Sequence, residues 1–416
     1  MQNLDDVETW LTTIRAGVMT SNWEFKLEHM QALMQKLGDP QEKFKSIHVA
    51  GTSGKTSTSY YIAEMLRLAN KKVGLTVSPH VDSINERVQI NGQPLTKTEF
   101  LKQLNSFVEV PVVKNASLSY FGALLALAFW VFAEKKLDYG VIEVGLGGRL
   151  DASNVIKNPN KICVITDIGL DHTKVLGGTL TKIAAEKAGI IQPGNHVFVA
   201  KQAPEIMEVF ARVAYKQGAA LHVLPNEKIA QTPDYLSPFQ KRNWALARSV
   251  FEFVTMRDRL PHVNLEPTAK LQIPARMEEF KVNQKIIITD GSHNAQKIGA
   301  LVAGLQQAYP GKKFAVMVSF VSDKDVTLSE SLKELHKISD CIIATTFDAQ
   351  QDAIRTPIDA QKIVDAAKQI GFKNVISESN PELAFKILQQ QSEEYLLVTG
   401  SFFLLGHVRP QLKKLQ

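Results

Sequence analysis

Only two cysteines occur in the 416 residues, Cys163 and Cys341, and each stands in an apolar run, KICVIT or SDCIIAT. No disulfide framework is therefore expected, and a reducing, cytoplasmic setting is the simpler reading. Long hydrophobic runs are also lacking. The best stretch starts at Phe121 and is stopped by Glu134, so it is expected to be a buried helix and no membrane span. The first residues, MQNLDDVETWL, are acidic and amphipathic, which does not suit a signal peptide. No repeat of fixed period and no low-complexity tract interrupts the chain. Charge of one sign is not concentrated either: 48 Lys and Arg face 42 Asp and Glu, a net +6 that is scattered along the chain. Nucleic acid is therefore not an expected partner, whereas a small anionic substrate suits a mildly basic protein.

What the chain does have is length and rhythm. At 416 residues it exceeds what one hydrophobic core supports, and 44% hydrophobic with 22% charged residues is ordinary for a globular protein. Short apolar runs alternate with helical patterns. IHVA, KVGLTVS, DYGVIEVG, KICVITDIG and HVFVA read as strands, while STSYYIAEMLRLAN, the segment 121–134 and TLTKIAAEKAGII read as helices. This βαβ alternation predicts a parallel sheet covered on both faces. A segment near 257–275 has three prolines and little periodicity, as expected of a linker. The rhythm then resumes with QKIIITD, QKIGALVAGLQQAYP, KKFAVMVSF, SDCIIATT and YLLVTGS. The expected organisation is an α/β domain over 1–272 and a smaller doubly wound α/β domain over 273–416.

The strongest single signal is AGTSGKTS, Ala50–Ser57, between a predicted strand and a predicted helix. Glycines there allow a tight turn with N–H groups facing inward, and the helix N-terminus adds a positive dipole end. Gly51, Thr52, Ser53, Gly54, Lys55, Thr56 and Ser57 are thus candidate phosphate-binding residues. Lys55 would reach the β- and γ-phosphates, and Thr56 would help to hold Mg²⁺. The strict pattern wants glycine where Val49 stands, and the bland alternative is a chance Gly-Lys-Thr before a helix. Glu143 ends a predicted strand just ahead of Gly145–Gly148. Its surroundings are apolar, so a metal explains a buried carboxylate better than a lone charge does.

HVAGTSGKTS resembles the nucleotide loop of the Mur ligase superfamily. SPHVDSINERVQING, IEVGLGGRLDASNVI and ITDIGLDHTKVLGGTLTKIAAEKAGII are similar to stretches of the folylpolyglutamate synthase and dihydrofolate synthase family, as are DGSHNA and VTGSFFLLGHVR. The motifs run in order through both predicted domains. The resemblance implies a P-loop domain joined to a smaller Rossmann-like domain, with the active site in the cleft between them. It further implies an ATP-dependent ligase that activates a folate-type carboxylate as an acyl phosphate and couples it to L-glutamate, acting as a monomer. Two Mg²⁺ sites are implied, with Ser78, Glu143, His172 and Lys187 as ligands. The lysine matches one that is carbamylated in the family, which would turn a repelled ammonium into an oxygen donor. Lys55, Glu143, His172 and Lys187 become the candidate catalytic set. Asn243 matches an adenine contact, Arg276 a phosphate contact, and Asp290 and His293 nucleotide-side residues of the second domain. Pro79, His80 and Arg87 fall in the substrate loop.

Some positions depart from the pattern. Ser53 and Thr56 spell the loop more like the cell-wall Mur ligases, but the 50 residues ahead of Gly51 are too few for the UDP-sugar domain of those enzymes. Ile84 stands where the folate enzymes often have phenylalanine, Gly122 where they have glutamate, and Asp167 where asparagine is frequent. Two rivals therefore remain: a Mur-type amide ligase for a non-folate carboxylate, and a nucleotide-binding module without ligase activity.

Overall fold

The computed structural model describes residues 1–17, 23–114, 116–322, 327–348 and 355–415. By packing, they form two compact units. The first comprises Met1–Pro79, Ile84–Leu236 and Gln240–Leu271, and the second comprises His80–Ser83, Ser237–Phe239 and the chain from Gln272 onward. Two short segments expected in the first domain, 80–83 and 237–239, thus group with the second.

The first unit is built on eight strands: β1 (Lys45–Ala50), β2 (Val73–Thr76), β3 (Gln89–Ile90), β4 (Gln93–Pro94), β5 (Tyr139–Glu143), β6 (Ile162–Ile165), β7 (His196–Ala200) and β8 (Ala220–Leu224). Their order is β4-β3-β2-β5-β1-β6-β7-β8. All neighbours from β2 to β8 pair in parallel, and only the β2–β3–β4 end is antiparallel. Central strands β2, β5 and β6 are buried at every position, as continuous apolar runs with both faces covered should be. The edge strand β8 is mostly exposed or half-buried, and its weak apolar signal left it without an assignment from sequence.

The segment after Phe121 is the helix Tyr120–Glu134, capped by Ser119, whose hydroxyl accepts from Gly122 N. It is apolar on nearly every side because it lies in the core with Val7, Leu33, Phe44, Phe100 and Phe107 around it. A second cluster takes alternate residues of two strands, Cys163 and Ile165 with Val197 and Val199, and packs them on Ile183, Ala184, Ile206 and Phe210. Among the described residues, no helix is long and apolar enough to cross a membrane.

The second unit has six strands: β9 (Glu278–Val282), β10 (Lys285–Thr289), β11 (Phe314–Val318), β12 (Cys341–Ala344), β13 (Asn374–Ser377) and β14 (Tyr395–Thr399). Their order is β13-β12-β11-β14-β10-β9, parallel except at the β9–β10 hairpin. Side-chain alternation divides the strands between two cores. Ile288, Val316, Ile342 and Leu397 face one, and Ile287, Met317, Ile343 and Val398 face the other.

The segment expected to be a linker is partly helical. One helix runs from Pro238 through Asp258, and a short one covers Glu266–Ala269. Trp244 Nε1 donates to the buried Thr268 Oγ1 at 2.8 Å, which draws the proline-rich stretch onto the long helix. Local propensity argued for a loop, and tertiary packing overrode it.

Phe132 is fully buried and packs edge-on against Phe44 with ring centroids 5.7 Å apart. Phe132→Ala is expected to lower the unfolding free energy by about 3–5 kcal/mol, read from the urea midpoint at unchanged slope.

Candidate active site

The register of the first sheet brings three chain segments together. Val49 pairs with Glu143, and Ala50 pairs with Ile165. The chain therefore leaves β1 into Gly51–Gly54 with Glu143 on one side and Thr166–Asp167 on the other. This is the C-terminal edge of a parallel sheet at a change of strand order, where ligands of such sheets bind.

Two glycines of the turn are fixed by close approach. Gly51 has φ 150°, and a Cβ there would lie 1.8 Å from Thr166 Oγ1. Gly54 has φ 90°, and its Cβ would lie 2.4 Å from Asn243 Oδ1. Gly54 is also the N-cap of the helix Lys55–Leu68 and brings no side chain to cap it. The first N–H groups of that helix are thus presented at the turn, an arrangement that takes an anion. Lys55 Nζ donates to Gly51 O at 3.2 Å, lying over the same turn.

Glu143 is 2% exposed at the end of β5. Its Oε1 accepts from Thr56 Oγ1 at 3.0 Å, and its Oε2 accepts from Ser78 N at 3.2 Å. Thr56, Ser78 and Glu143, three residues of the expected metal and phosphate set, therefore meet. The side chains of these three residues carry oxygens, which is what Mg²⁺ takes, and a buried carboxylate gains from a cation at this point. Among the described residues, no three His, Cys, Asp or Glu side chains cluster as a metal site. A cation here would rely on hydroxyl oxygens as well as on Glu143.

His172 adopts the left-handed conformation (φ 49°, ψ 38°) at the start of the short helix Thr173–Leu176. Its N–H donates to Asp171 Oδ1 at 3.0 Å, and Asp171 is buried. Lys187 is 4% exposed in the last turn of the helix Leu180–Ala188. The loop after Glu143 is packed on that turn. Arg149 N donates to Glu186 O at 2.8 Å, and a Cβ at Gly148 would lie 3.0 Å from Lys187 O. The structure thus joins the Glu143 loop to the Lys187 helix.

A buried chain of polar groups supports the same loop. Asp151 accepts from Leu146 N (2.8 Å), from Ser153 N (2.9 Å) and from the Ser153 hydroxyl, which also contacts His48 Nε2 at 2.8 Å. Burial pushes the Asp151 carboxyl up, while its hydrogen bonds pull the other way. Burial pushes the His48 imidazole well below its usual range, and the charges of Lys161 and Lys157 act in the same direction. His48 therefore stays neutral inside β1. This support was missed from sequence, although the Asp-x-Ser turn in RLDASN was a signal for it.

Residues of the second unit form their own group. Asp290 follows β10, and its two oxygens accept from Met277 N (2.8 Å) and Ser292 N (2.9 Å). It shapes a loop, a role that sequence reasoning had not given it. Gly291 O lies 2.8 Å from His293 Nδ1, and Lys297 Nζ lies 2.9 Å from Nε2, so Nδ1 carries the proton and Nε2 accepts. Arg276 stacks on Phe402, with 4.6 Å from guanidinium to ring centroid. Lys297 and Phe402 were not singled out from sequence.

The substrate-loop residues are divided. Pro79 and Arg87 belong to the first unit and His80 to the second. Arg87 and His80 are 2% and 4% exposed. Ile84 lies in the first unit's core with Val88 and Phe100, and Gly122 N occupies the Ser119 cap.

Residues 49–244 match the model described as Mur ligase middle domain, and 275–402 match the Mur ligase, glutamate ligase domain. The dihydrofolate synthase/folylpolyglutamate synthase of Bacillus subtilis is 30% identical over 419 residues, covering 93% of this chain and 95% of that one. Folylpolyglutamate synthase of Mycobacterium tuberculosis complexed with ADP superimposes with TM-score 0.83 at 26% identity, covering 98% of both chains. The bifunctional folylpolyglutamate synthase/dihydrofolate synthase of Yersinia pestis, complexed with AMPPNP and Mn ion, gives 0.82 at 27% identity over 99% of this chain and 98% of that one.

Gly54→Ala places a methyl group on Asn243 and forces a non-glycine residue to φ 90°. Calorimetric titration with AMP-PNP and Mg²⁺ should show affinity lowered by about 10-fold or more, given a backbone strain of about 1–2 kcal/mol plus the displaced amide.

Proposed function

The chain belongs to the dihydrofolate synthase/folylpolyglutamate synthase family of Mur ligases, and we propose that it joins L-glutamate to a folate-type carboxylate through an acyl phosphate. It is an ATP-dependent acid–amino-acid ligase. The observation that supports the site most directly is the meeting of Thr56, Ser78 and Glu143 beside the Gly51–Gly54 turn. Phosphoryl transfer asks mainly for positioning and for neutralised charge, and this edge of the sheet offers N–H groups, one ammonium and a carboxylate able to hold a cation.

In the proposed sequence the substrate carboxylate oxygen bonds to Pγ of ATP as the bridging Pβ–O–Pγ bond breaks, and ADP leaves with that electron pair. The glutamate amine then attacks the acyl carbon. The tetrahedral intermediate collapses, phosphate departs with the C–O electron pair, and the amine loses a proton. Lys55 offsets charge on the transferring phosphoryl group. The helix dipole at Lys55–Leu68 favours the phosphates. Mg²⁺, bound between nucleotide and protein, would add charge neutralisation at the same oxygens. Ser78 and Glu143 would hold the first ion, and His172 with a carbamylated Lys187 the second. The burial of Lys187, on the helix turn packed against the Gly145–Gly148 loop, supports placing a carbamate beside that loop.

The assignment extends to the domains, 1–272 as the ATP-binding P-loop domain and 273–416 as the smaller Rossmann-like domain. Asn243 serves on the adenine side, Arg276, Asp290 and His293 on the nucleotide side of the second domain, and Pro79, His80 and Arg87 in the substrate loop. Buried, free Cys163 and Cys341 support a reducing, cytoplasmic setting. The reading takes the enzyme as a monomer with no nucleic-acid or membrane partner. Dihydropteroate is proposed as a second acceptor.

Lys55→Ala and Glu143→Ala should each reduce folate- and glutamate-dependent ADP release by at least about 10³-fold, the scale of a lost charge-stabilising group. Wild-type rates in either variant would remove the assignment. Lys187→Ala should be nearly inactive and partly restored by millimolar acetate or formate. Full activity of that variant without additive would rule out an essential carbamate.

A further inference from the structure

The phosphate turn is held from its outer side by a pair of residues that the site described so far does not use. Asp167 lies just beyond β6. Its main-chain oxygen accepts from Thr52 N at 2.8 Å and Ser53 N at 3.2 Å, and Ser53 and Asp167 form an isolated antiparallel bridge. Its side chain accepts from Arg242 Nε at 2.7 Å. The same guanidinium donates through Nη2 to Lys201 O, beyond the end of β7. Arg242 belongs to the helix Pro238–Asp258, and the next residue, Asn243, is the one whose amide oxygen sits against Gly54. One residue thus touches the turn with its main chain and the helix with its side chain. Neighbouring bonds brace it: Thr52 Oγ1 donates to Gly169 O at 3.1 Å, and Ile168 N donates to Gln202 Oε1 at 2.7 Å.

We propose that Asp167 and Arg242 are positioning residues that lock the Asn243 helix onto the phosphate turn and so set nucleotide affinity. The proposal rests on the nucleotide reading of Gly51–Ser57. The side chains of Arg242 and Asp167 are 26% and 34% exposed, so the pair is screened and adds little to global stability. Its consequence is local. Asn243 is 6% exposed and has little room, so freeing Arg242 lets the helix shift where the amide meets Gly54. A free carboxylate at Asp167 would also stand one loop away from bound phosphates, and pairing it with Arg242 removes that repulsion.

The test compares wild type with Asp167→Ala, Arg242→Ala, the double variant and Asp167→Asn. AMP-PNP binding with Mg²⁺ is measured by calorimetry, together with KM and kcat for ADP release. Each single alanine variant should weaken AMP-PNP binding and raise the ATP KM by about 3- to 10-fold. The KM for L-glutamate should stay constant, and kcat at saturating ATP should fall by less than about two-fold. The double variant should be no worse than the worse single, because both remove one interaction. Asp167→Asn, which keeps a hydrogen-bond acceptor, should recover most of the affinity, and Arg242→Ala carries the test if Asp167→Ala fails to fold. Multiplying effects in the double variant, or unchanged affinity in both singles, overturns the clamp alone. Wild type that binds no AMP-PNP overturns the nucleotide reading and the clamp with it.

Discussion

A parallel sheet delivers every strand end to the same edge, and the chemistry of the first unit depends on that constraint. Because β1 lies between β5 and β6 in register, the turn after Ala50 has no choice of neighbours. Glu143 must stand on one side and Thr166 on the other. The turn can pass only without Cβ atoms, since the space at Gly51 belongs to the Thr166 hydroxyl and the space at Gly54 to the Asn243 amide. Strand pairing thus decides where the anion-binding N–H groups point and which carboxylate faces them. The Gly-Lys-Thr spelling is chemically useful because the sheet frames it.

Buried polar groups in this protein divide by the partners they meet. Asp151, His48 and Ser153 are linked by hydrogen bonds inside the first unit, where burial pushes the carboxyl up and the imidazole down. Glu278 in the second unit is instead matched by Arg409, which donates to both of its oxygens and also pairs with Asp82. These groups build loops. Glu143, equally buried, accepts from a backbone N–H and a threonine hydroxyl beside the turn that Lys55 overlies. Such a carboxylate is suited to share its charge with a bound cation.

Much of the architecture was readable because its signals are local. Continuous apolar runs gave the central strands, and the change to helical spacing after them gave the crossover helices. The edge strands β8 and β13 escaped because a half-solvated strand needs no apolar run. The segment 257–275 looked like a linker because prolines dominate its local preferences. The Trp244–Thr268 contact that orders part of it joins residues 24 positions apart. Asp290 was read as a ligand-facing acid from its place at a strand end. Its carboxylate also accepts from Met277 N, which the β9–β10 hairpin places opposite, and from Ser292 N two residues on.

The sequence by itself determined the fold class and singled out the Gly51–Gly54 turn with Lys55, Thr56 and Glu143 as candidates, since each is marked by neighbours within a few positions. Tertiary structure alone decided that Ser78 reaches Glu143 across 65 residues, that the Lys187 helix packs on the Gly145–Gly148 loop, and that Asp167 answers Arg242 across 75. The physical reason is that hydrophobic periodicity reports what one segment buries, whereas the partner of a polar side chain is chosen by whichever segment the sheet order places beside it.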